Sequence, residues 1–391
     1  MKKIRVGVIG LGFIGKQHVE ALRRLPYIEI VAGSDSNLSM REWCEKNGIQ
    51  KYYSDYKEML TNENMDVVHN CTPNNFHYEV SCEILKTGCH VYSEKPLTIK
   101  SVEGESLIEL ADKKGLKTAV NFNYRNNLMV QEIQQRIQNG RMGMISHIQV
   151  EYLQDWLLYD TDFDWRVQKD KGGESRAVAD IGSHCFDTIQ FITGEKIVSV
   201  YAMFHKQYQK RYMTKQADTF SLRPIDCDSK GEPVSVENED AAIILFRLEG
   251  GMVGNINVTQ VCAGKKNNLK ILISGTKEAY EWQQETPANL WIGHKDSGNE
   301  IIYAGKNNLS EKIRCFADLP DGHSVGWKDA FEKGFEIFYG SILNETEAVY
   351  ESPDFAEGWY VTKIVEACLK SNQTGLSLIH ISEPTRRTPI S

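Results

Sequence analysis

Three glycines near the N-terminus, Gly10, Gly12 and Gly15, limit what this chain can fold into more than any other feature. They form a GxGxxG motif that follows the apolar run of residues 4–9 and opens a helical pattern reaching residue 25. In this arrangement the first glycine permits a tight turn, the second lets the backbone approach a pyrophosphate, and the third lets helix and strand pack closely. The helix N-terminus then faces the phosphate charge. The motif therefore predicts a strand–turn–helix cradle for a dinucleotide.

An acidic residue, Asp35, closes the next apolar run, 20 residues after Gly15. A carboxylate at this distance accepts hydrogen bonds from the ribose hydroxyls of NAD and repels the additional phosphate of NADP. Ser36 and Asn37 follow, and neither carries a positive charge that would attract that phosphate. We therefore expect NAD as the cofactor, in preference to NADP.

Strand-like and helix-like segments alternate as far as residue 122, with Gly88 closing one of the helices as its C-cap. Such alternation predicts a parallel sheet with helices on both faces, and ligands bind such sheets beyond the carboxyl ends of the strands. We therefore expect a Rossmann domain at residues 1–122. Four polar residues fall at the expected binding edge, namely Thr72, Asn74, Lys95 and Asn123.

The rest of the chain is long enough for a second domain, because 391 residues exceed the usual size of one hydrophobic core. Several segments between residues 145 and 259 are rich in β-forming residues, and Gly250 and Gly251 lie between two of them as a hairpin signal. We expect this domain to span residues 123–376. The last segment, residues 377–391, has no hydrophobic period, so we interpret it as a non-native read-through tail that packs loosely in place of the true C-terminus.

The charge pattern and the apolar runs exclude two classes of partner. The net charge is −8 and no basic block is present, so we expect no nucleic-acid binding. No uninterrupted apolar run approaches the roughly 18 residues of a membrane span, so we expect no membrane partner. Nine cysteines are scattered without a CxxC pair, which is typical of a reducing compartment, and we expect a cytoplasmic protein.

An acid and a histidine, Asp180 and His184, lie four residues apart in the stretch ADIGSHCFD, and Asp187 follows. On a helix this spacing places the first two side chains on one face. Histidine titrates near neutral pH and is a natural base for removing a hydroxyl proton. The spacing alone also allows a metal site or a helix cap by Asp180, but further metal ligands are not evident, so no metal is expected. Asp187 fits either the site or a structural salt bridge.

Five segments, in their order along the chain, resemble the Gfo/Idh/MocA family of NAD(P)-dependent sugar and polyol dehydrogenases. They are GVIGLGFIGKQH, DVVHNCTPNNFH, SEKPL, NFNYR and WRVQKDKGGESRAVADIGSHCFD, and the resemblance spans residues 3–375. It implies an α/β fold, with an N-terminal Rossmann domain and a C-terminal α+β domain that contains a large, mostly antiparallel open sheet. It also implies a homodimer or homotetramer, because members of the family commonly associate through that sheet.

The resemblance further implies roles for individual residues. It assigns the general base to His184, an orienting or proton-relaying acid to Asp180, and polarisation of the substrate oxygen to Lys95. Pro96, next to Lys95, is a candidate for a cis peptide bond. The expected cofactor contacts are Gly10, Gly12, Phe13, Ile14, Asp35, Thr72, Asn74, His77, Glu94, Lys95 and Asn123. The expected substrate contacts are Lys95, Arg125, Trp165, Arg166, Asp180 and His184.

The expected function is oxidation of a ring hydroxyl of a sugar, polyol or glycoside, by hydride transfer to NAD. An aromatic-rich stretch before Trp165 offers apolar faces for a sugar ring and room beyond a monosaccharide, so a glycoside oxidised to a 3-keto product is the finer expectation. Two alternatives stay open. One is an NAD-dependent glycosidase that oxidises C3 transiently and eliminates the aglycone, and the other is a non-catalytic NAD-sensing protein.

Overall fold

The computed structural model describes residues 3–213, 231–343, 350–376 and 379–380. Two large sheets form within these residues, one in each half of the chain. The predicted loose tail, residues 377–391, lies outside the described residues except for a two-residue strand, Ile379–His380.

The first half of the chain forms a six-stranded parallel sheet within the described residues, in the strand order β3-β2-β1-β4-β5-β6. Helices connect the strands, so the predicted strand–helix alternation and Rossmann fold are confirmed. The elements are β1 (Ile4–Ile9), α1 (Phe13–Leu22), β2 (Ile28–Ser34), α2 (Met40–Lys46), β3 (Lys51–Tyr53), α3 (Tyr56–Asn62), β4 (Val67–Asn70), α4 (His77–Thr87), β5 (His90–Ser93), α5 (Ser101–Lys114) and β6 (Thr118–Val120).

Strand β1 shows why this sheet forms. It is a nearly continuous apolar run whose valines, Val6 and Val8, are fully buried, as expected for a central parallel strand covered on both faces. The predicted C-cap glycine Gly88 ends α4 with a φ of 91°, a conformation that glycine adopts without strain. The chain thus returns to the sheet after each helix, and the carboxyl ends of the parallel strands lie at one edge of the sheet.

The second half forms a nine-stranded, mostly antiparallel sheet within the described residues, in the order β16-β15-β14-β13-β7-β12-β11-β8-β17. Only the pair β7–β12 is parallel among these strands. The predicted α/β fold class is therefore confirmed. The elements are α6 (Leu128–Gln138), β7 (Ile145–Leu153), α7 (Lys169–Gly172), α8 (Ser183–Thr193), β8 (Ile197–His205), β9 (Lys210–Met213), β10 (Glu232–Ser235), β11 (Ala241–Leu248), β12 (Val253–Thr259), β13 (Asn268–Gly275), β14 (Glu278–Gln283), β15 (Asn289–His294), β16 (Glu300–Tyr303), α9 (Glu311–Arg314), α10 (Trp327–Ile342), α11 (Phe355–Thr374) and β17 (Ile379–His380).

This larger sheet buries one face and exposes the other. Along β11, Ile244 and Phe246 are buried, whereas the alternate residues Ile243 and Leu245 are 59% and 51% exposed. Gly251, with a φ of 90°, lies in the turn of the predicted β11–β12 hairpin. The period of two along the strand separates the two faces, with the helices against the buried one.

Two C-terminal helices return to the parallel sheet and join the halves. Helix α10 contributes Phe331, Phe335 and Tyr339 to the same apolar core as β1. Helix α11 packs along α5. The proposed division at residue 122 therefore separates the two sheets, but the core of the first is completed by helices from the second half. Within the described residues, no helix is long and apolar enough to cross a membrane.

Candidate active site

A cavity of about 1020 Å³ opens at the carboxyl ends of the parallel strands. One part of its wall is the glycine loop and the ends of β2, β4 and β5, and the other part comes from the second half of the chain. Parallel sheets bind ligands at this edge. The structure brings nearly all of the predicted site residues to this one cavity.

The glycine loop leaves space where a dinucleotide phosphate would lie. A Cβ on Gly10 would lie 2.5 Å from the carbonyl oxygen of Cys71, and one on Gly15 would lie 1.9 Å from that of Gly10. A Cβ on Gly12, in contrast, would meet no atom within 4 Å. The first and third glycines are thus required by close packing, and the second faces open space beside a helix N-terminus, which fits a pyrophosphate group.

The acid predicted to bind ribose, Asp35, also lines the cavity. Its Oδ2 accepts a hydrogen bond from the backbone N–H of Leu11 at 2.6 Å, and its Oδ1 accepts one from Asn37 at 2.8 Å. The carboxylate is therefore fixed beside the glycine loop, where a dinucleotide would present its ribose. The other predicted cofactor residues in the cavity wall are Phe13, Ile14, Thr72, Asn74, Glu94, Lys95 and Asn123.

His77, a predicted cofactor contact, lines the cavity wall as predicted, and its ring is held by backbone groups. Its Nδ1 lies 2.6 Å from the carbonyl oxygen of Pro96 and its Nε2 lies 2.7 Å from that of Thr72. Both ring nitrogens thus lie against backbone carbonyl oxygens, to one of which a neutral imidazole can donate, and the side chain is buried. His77 connects the ends of β4 and β5. The peptide bond between Lys95 and Pro96 is cis, as predicted.

Lys95 and Asp180 form an ion pair in the cavity wall. The Lys95 ammonium donates to the Asp180 side chain at 2.6 Å and to its backbone carbonyl at 2.9 Å. The same carboxylate accepts from Gln260 at 2.8 Å and lies 3.4 Å from the Arg166 guanidinium. Burial alone would raise the pKa of Asp180, but Lys95 and Arg166 outweigh it and hold that pKa well below its usual range. Asp180 is therefore an anion.

His184 lies on the first turn of α8, next to this ion pair. Its ring packs edge-on against Tyr124, with 4.8 Å between the ring centroids. Burial, and then the charge of Lys95, lower the pKa of His184 to about 3, although Asp180 acts in the opposite direction. The expectation of a near-neutral pKa is thus wrong for this geometry, and the imidazole is neutral at physiological pH.

Asp180 and His184 share no hydrogen bond in the described part of the chain. The Asp180 oxygens are occupied by Lys95, Arg166 and Gln260, and the buried Nδ1 of His184 has no hydrogen-bond partner among the described residues. The reason is local geometry, since Asp180 lies in a π-helical turn, Val178–Gly182, before the regular α-helix begins. The two residues share the site but have separate partners.

Arg125 does not lie in the cavity wall, which corrects its predicted role in substrate binding. Its guanidinium forms a two-pronged ion pair with Asp187, one arm of which is Nε to Oδ2 at 3.0 Å. It also lies 3.3 Å from Glu357 and stacks over Phe191, at 5.0 Å from the ring centroid. The side chains of Arg125 and Asp187 are only 5% and 2% exposed. Asp187 therefore belongs to a structural salt bridge.

An aromatic wall faces the ion pair. Trp156, Phe163 and Trp165 line the cavity, and the Arg166 guanidinium lies 4.3 Å from the centroid of the Trp165 ring. Asp164 accepts from the backbone N–H of Arg166 at 2.9 Å and fixes this turn. The predicted substrate residues Trp165 and Arg166 are thus both brought to the site.

A polar network that was not predicted from the sequence lies on the opposite side of His184. The hydroxyls of Tyr124 and Tyr152 are 2.6 Å apart, and Tyr152 donates to Asn267 Oδ1 at 2.7 Å. Gln154 donates to the same oxygen at 3.1 Å. Inward-facing polar residues at alternate positions of β7 and just beyond it were the available signal for Tyr152 and Gln154. Asn267 lies immediately before β13, and no sequence pattern indicated that it would reach the site.

Two sequence models match successive parts of the chain. The oxidoreductase family model with an NAD-binding Rossmann fold matches residues 4–122, and the GFO/IDH/MocA C-terminal domain matches residues 130–281. The chain belongs to the Gfo/Idh/MocA family. Members of this family are NAD-dependent dehydrogenases of sugars and polyols. The predictions of an oxidoreductase and of NAD as its cofactor are thereby confirmed.

The family relationship extends over nearly the whole chain. The levoglucosan dehydrogenase of Pseudarthrobacter phenanthrenivorans is 26% identical, over 95% of this chain and 96% of that protein. The D-glucoside 3-dehydrogenase of Escherichia coli is 31% identical, over 49% of this chain and 54% of that protein. An oxidoreductase domain protein from Kribbella flavida has a similar structure, with a TM-score of 0.87, 26% identity, and coverage of 98% of this chain and 100% of that one.

Proposed function

We propose that this member of the family oxidises a ring hydroxyl of a sugar or glycoside, with NAD as hydride acceptor. The supporting observation is that the Lys95–Asp180 ion pair and the neutral His184 line the same cavity as the glycine loop. The cavity is at the upper end of the roughly 300–1,000 Å³ of small-molecule sites, so it has room for a dinucleotide and a sugar together. NAD, when bound, supplies the hydride-accepting ring.

Lys95 is suited to hold the reacting oxygen. Its ammonium has three N–H donors, of which Asp180 takes two, through its side chain and its carbonyl. The third N–H is available for the oxygen of a substrate hydroxyl and stabilises the negative charge that develops there. Asp180 remains ionised and keeps the ammonium in place.

His184 is suited to accept the hydroxyl proton. Its imidazole is neutral above pH 3 or so, because burial and Lys95 lower its pKa to about 3. A hydroxyl becomes strongly acidic as its carbon loses hydride, so even a weak base in hydrogen-bond reach accepts the proton at that point. A neutral base also leaves the charge of Lys95 free to act on the oxygen.

The aromatic wall favours a sugar ring over a linear alcohol. The apolar face of a pyranose packs against Trp156, Phe163 and Trp165, while Arg166 and Gln154 offer hydrogen bonds to its hydroxyls. The finer proposal is a glycoside oxidised to a 3-keto sugar. Its support is the similarity to a levoglucosan dehydrogenase and a D-glucoside 3-dehydrogenase.

The test is a panel of sugars, polyols and aryl glycosides incubated with NAD, with NADH absorbance and aglycone release measured in parallel. NADH formation on a ring sugar or glycoside supports the proposal. Aglycone release without NADH accumulation would instead identify the glycosidase alternative, and NAD binding without either product would identify a sensor.

Two variants test the assigned roles. Lys95→Ala and His184→Ala should each abolish turnover while the Kd for NAD, measured by calorimetry, stays within a few-fold. Lys306→Ala and His323→Ala remove an exposed residue of the same type elsewhere and serve as matched controls. Retained activity in either site variant would refute that residue's role.

A further inference from the structure

Four buried polar groups lie in a row behind Lys95. His18 Nε2 is 2.9 Å from Glu94 Oε1, His18 Nδ1 is 2.8 Å from His69 Nδ1, and His69 Nε2 is 2.7 Å from the Tyr339 hydroxyl. We call His18, His69, Glu94 and Tyr339 the buried relay. Its members come from α1, β4, the end of β5 and α10, and none is more than 6% exposed. Their hydrogen bonds are therefore shielded from bulk water.

The charge of Glu94, at the end of the relay next to Lys95, determines the direction in which the hydrogen bonds are donated. Burial opposes ionisation of Glu94, but the hydrogen bonds from His18 and Asn121 and the charge of Lys95 hold its pKa below its usual range. Glu94 is thus a carboxylate, which only accepts hydrogen bonds. It accepts from Asn121 at 2.6 Å and from the backbone N–H of Lys95 at 3.1 Å. The bond to His18 must then be donated by His18 Nε2–H.

If both imidazoles are neutral, only one arrangement of protons gives every hydrogen bond in the relay one donor and one acceptor. Neutral His18 with a proton on Nε2 has a bare Nδ1, so His69 must donate to it from Nδ1–H. Burial lowers the pKa of His69 well below its ordinary value, which keeps this ring neutral. His69 Nε2 is then bare and accepts the Tyr339 O–H. Every bond points from Tyr339 towards Glu94.

If the hydrogen bonds between His18, His69 and Tyr339 were donated in the opposite direction, the relay would need one more proton, and the Tyr339 hydroxyl would need a further acceptor. His18 would be an imidazolium, His69 would donate from Nε2, and the Tyr339 O–H would need another partner. Among the described residues, the Tyr339 hydroxyl has no hydrogen bond except that to His69. Of the neighbouring rings, Phe331 and Phe335 carry no acceptor, and the Tyr92 hydroxyl donates to Asn121 at 3.4 Å and makes no hydrogen bond to Tyr339 in the described part of the chain. Tyr339 therefore fixes the direction of the whole relay.

We propose that His18, His69 and Tyr339 are positioning residues for the reaction, acting as a directed hydrogen-bond chain that holds Glu94 and, through it, places Lys95 against Asp180. Glu94 is the last link, since it accepts from the Lys95 backbone. This inference rests on the proposed function for its effect on turnover, but the proton order stands independently of that function.

The proton order is tested by nitrogen NMR on the full chain labelled with [15N]histidine. We expect His69 to carry its proton on Nδ1, the minor tautomer in water, and His18 to carry its proton on Nε2 with Nδ1 bare. In Tyr339→Phe, the Nε2 resonance of His69 should move towards the value of an unbonded ring nitrogen. A wild-type His69 protonated on Nε2 would overturn the proposal, whether or not the enzyme oxidises a sugar.

The positioning role is tested by the kinetics of Tyr339→Phe. We expect kcat to fall about fivefold, the effect of one neutral hydrogen bond, with the sugar KM and the NAD Kd within twofold. Tyr360→Phe is the matched control, because it loses a buried hydrogen bond of 2.9 Å to Ile197 in the second half of the chain. It should show a comparable loss of thermal stability with an unchanged kcat. An unchanged kcat in Tyr339→Phe would overturn the positioning role.

Discussion

Replacing Arg125 with methionine should weaken the fold and leave substrate binding unchanged. The Arg125 and Asp187 side chains are 5% and 2% exposed, so the variant leaves a buried carboxylate without its counter-ion. Removing one partner of such a pair costs about 3–5 kcal/mol. Glu357, the other partner, is 35% exposed and adds little, because solvent screens that contact. The loss is a large part of the roughly 5–15 kcal/mol that stabilises a typical domain.

Urea unfolding followed by tryptophan fluorescence measures this loss, and steady-state kinetics on the folded fraction measure KM. Arg24→Met is the matched control, since Arg24 is 48% exposed and pairs with Glu332 at 2.8 Å, and it should cost no more than about 1 kcal/mol. The double variant Arg125→Met/Asp187→Leu should recover much of the stability, because no buried charge remains unpaired. Unchanged stability together with a raised sugar KM would refute the structural role.

Other predictions concern the base, the cradle and the assembly. Because the folded pKa of His184 is about 3 against 6.5 unfolded, its contribution to the free energy of unfolding is present above pH 6.5 and is lost as pH falls towards 3. The wild-type kcat should then show no limb from this residue near pH 6.5, and an NMR titration of the folded enzyme with a midpoint near pH 6.5 for the His184 ring would contradict this. Gly12→Ala should raise the NAD Kd about tenfold with little change in melting temperature, whereas Gly10→Ala should also lower that temperature, since only its Cβ meets backbone. Ile243→Glu with Leu245→Glu should lower the mass found by light scattering if the exposed sheet face forms the expected homo-oligomer; an unchanged mass would place the interface elsewhere.

Local patterns predicted the parts of the site that are local in sequence. The glycine loop and Asp35 follow from one βαβ unit, whose geometry depends on neighbouring residues alone. Lys95 could be placed because the ends of parallel strands share one edge. Arg125 was misplaced because a strand end gives position and not side-chain direction. Its partner Glu357 lies 232 residues away and carries no local signal.

The protonation states of Asp180 and His184 could be inferred only from the three-dimensional structure. Spacing predicted that Asp180 and His184 would lie together, but their pKa values depend on burial and on charges from other segments. Gln260 and Arg166, which compete with His184 for the Asp180 oxygens, come from a strand end and a loop with no pattern in common. The same limit applies to the buried relay, because His18 and His69 are 51 residues apart.

The charge of Lys95 connects the acid and the base of the site. Burial disfavours charge on both Asp180 and His184, and it acts in opposite directions on their pKa values. Lys95 lowers both, so Asp180 stays an anion and His184 stays neutral. Loss of the cation would therefore do more than remove one donor to the substrate. It would raise the pKa of both residues and weaken the separation between a fixed anion and a proton acceptor, on which the proposed alcohol oxidation depends.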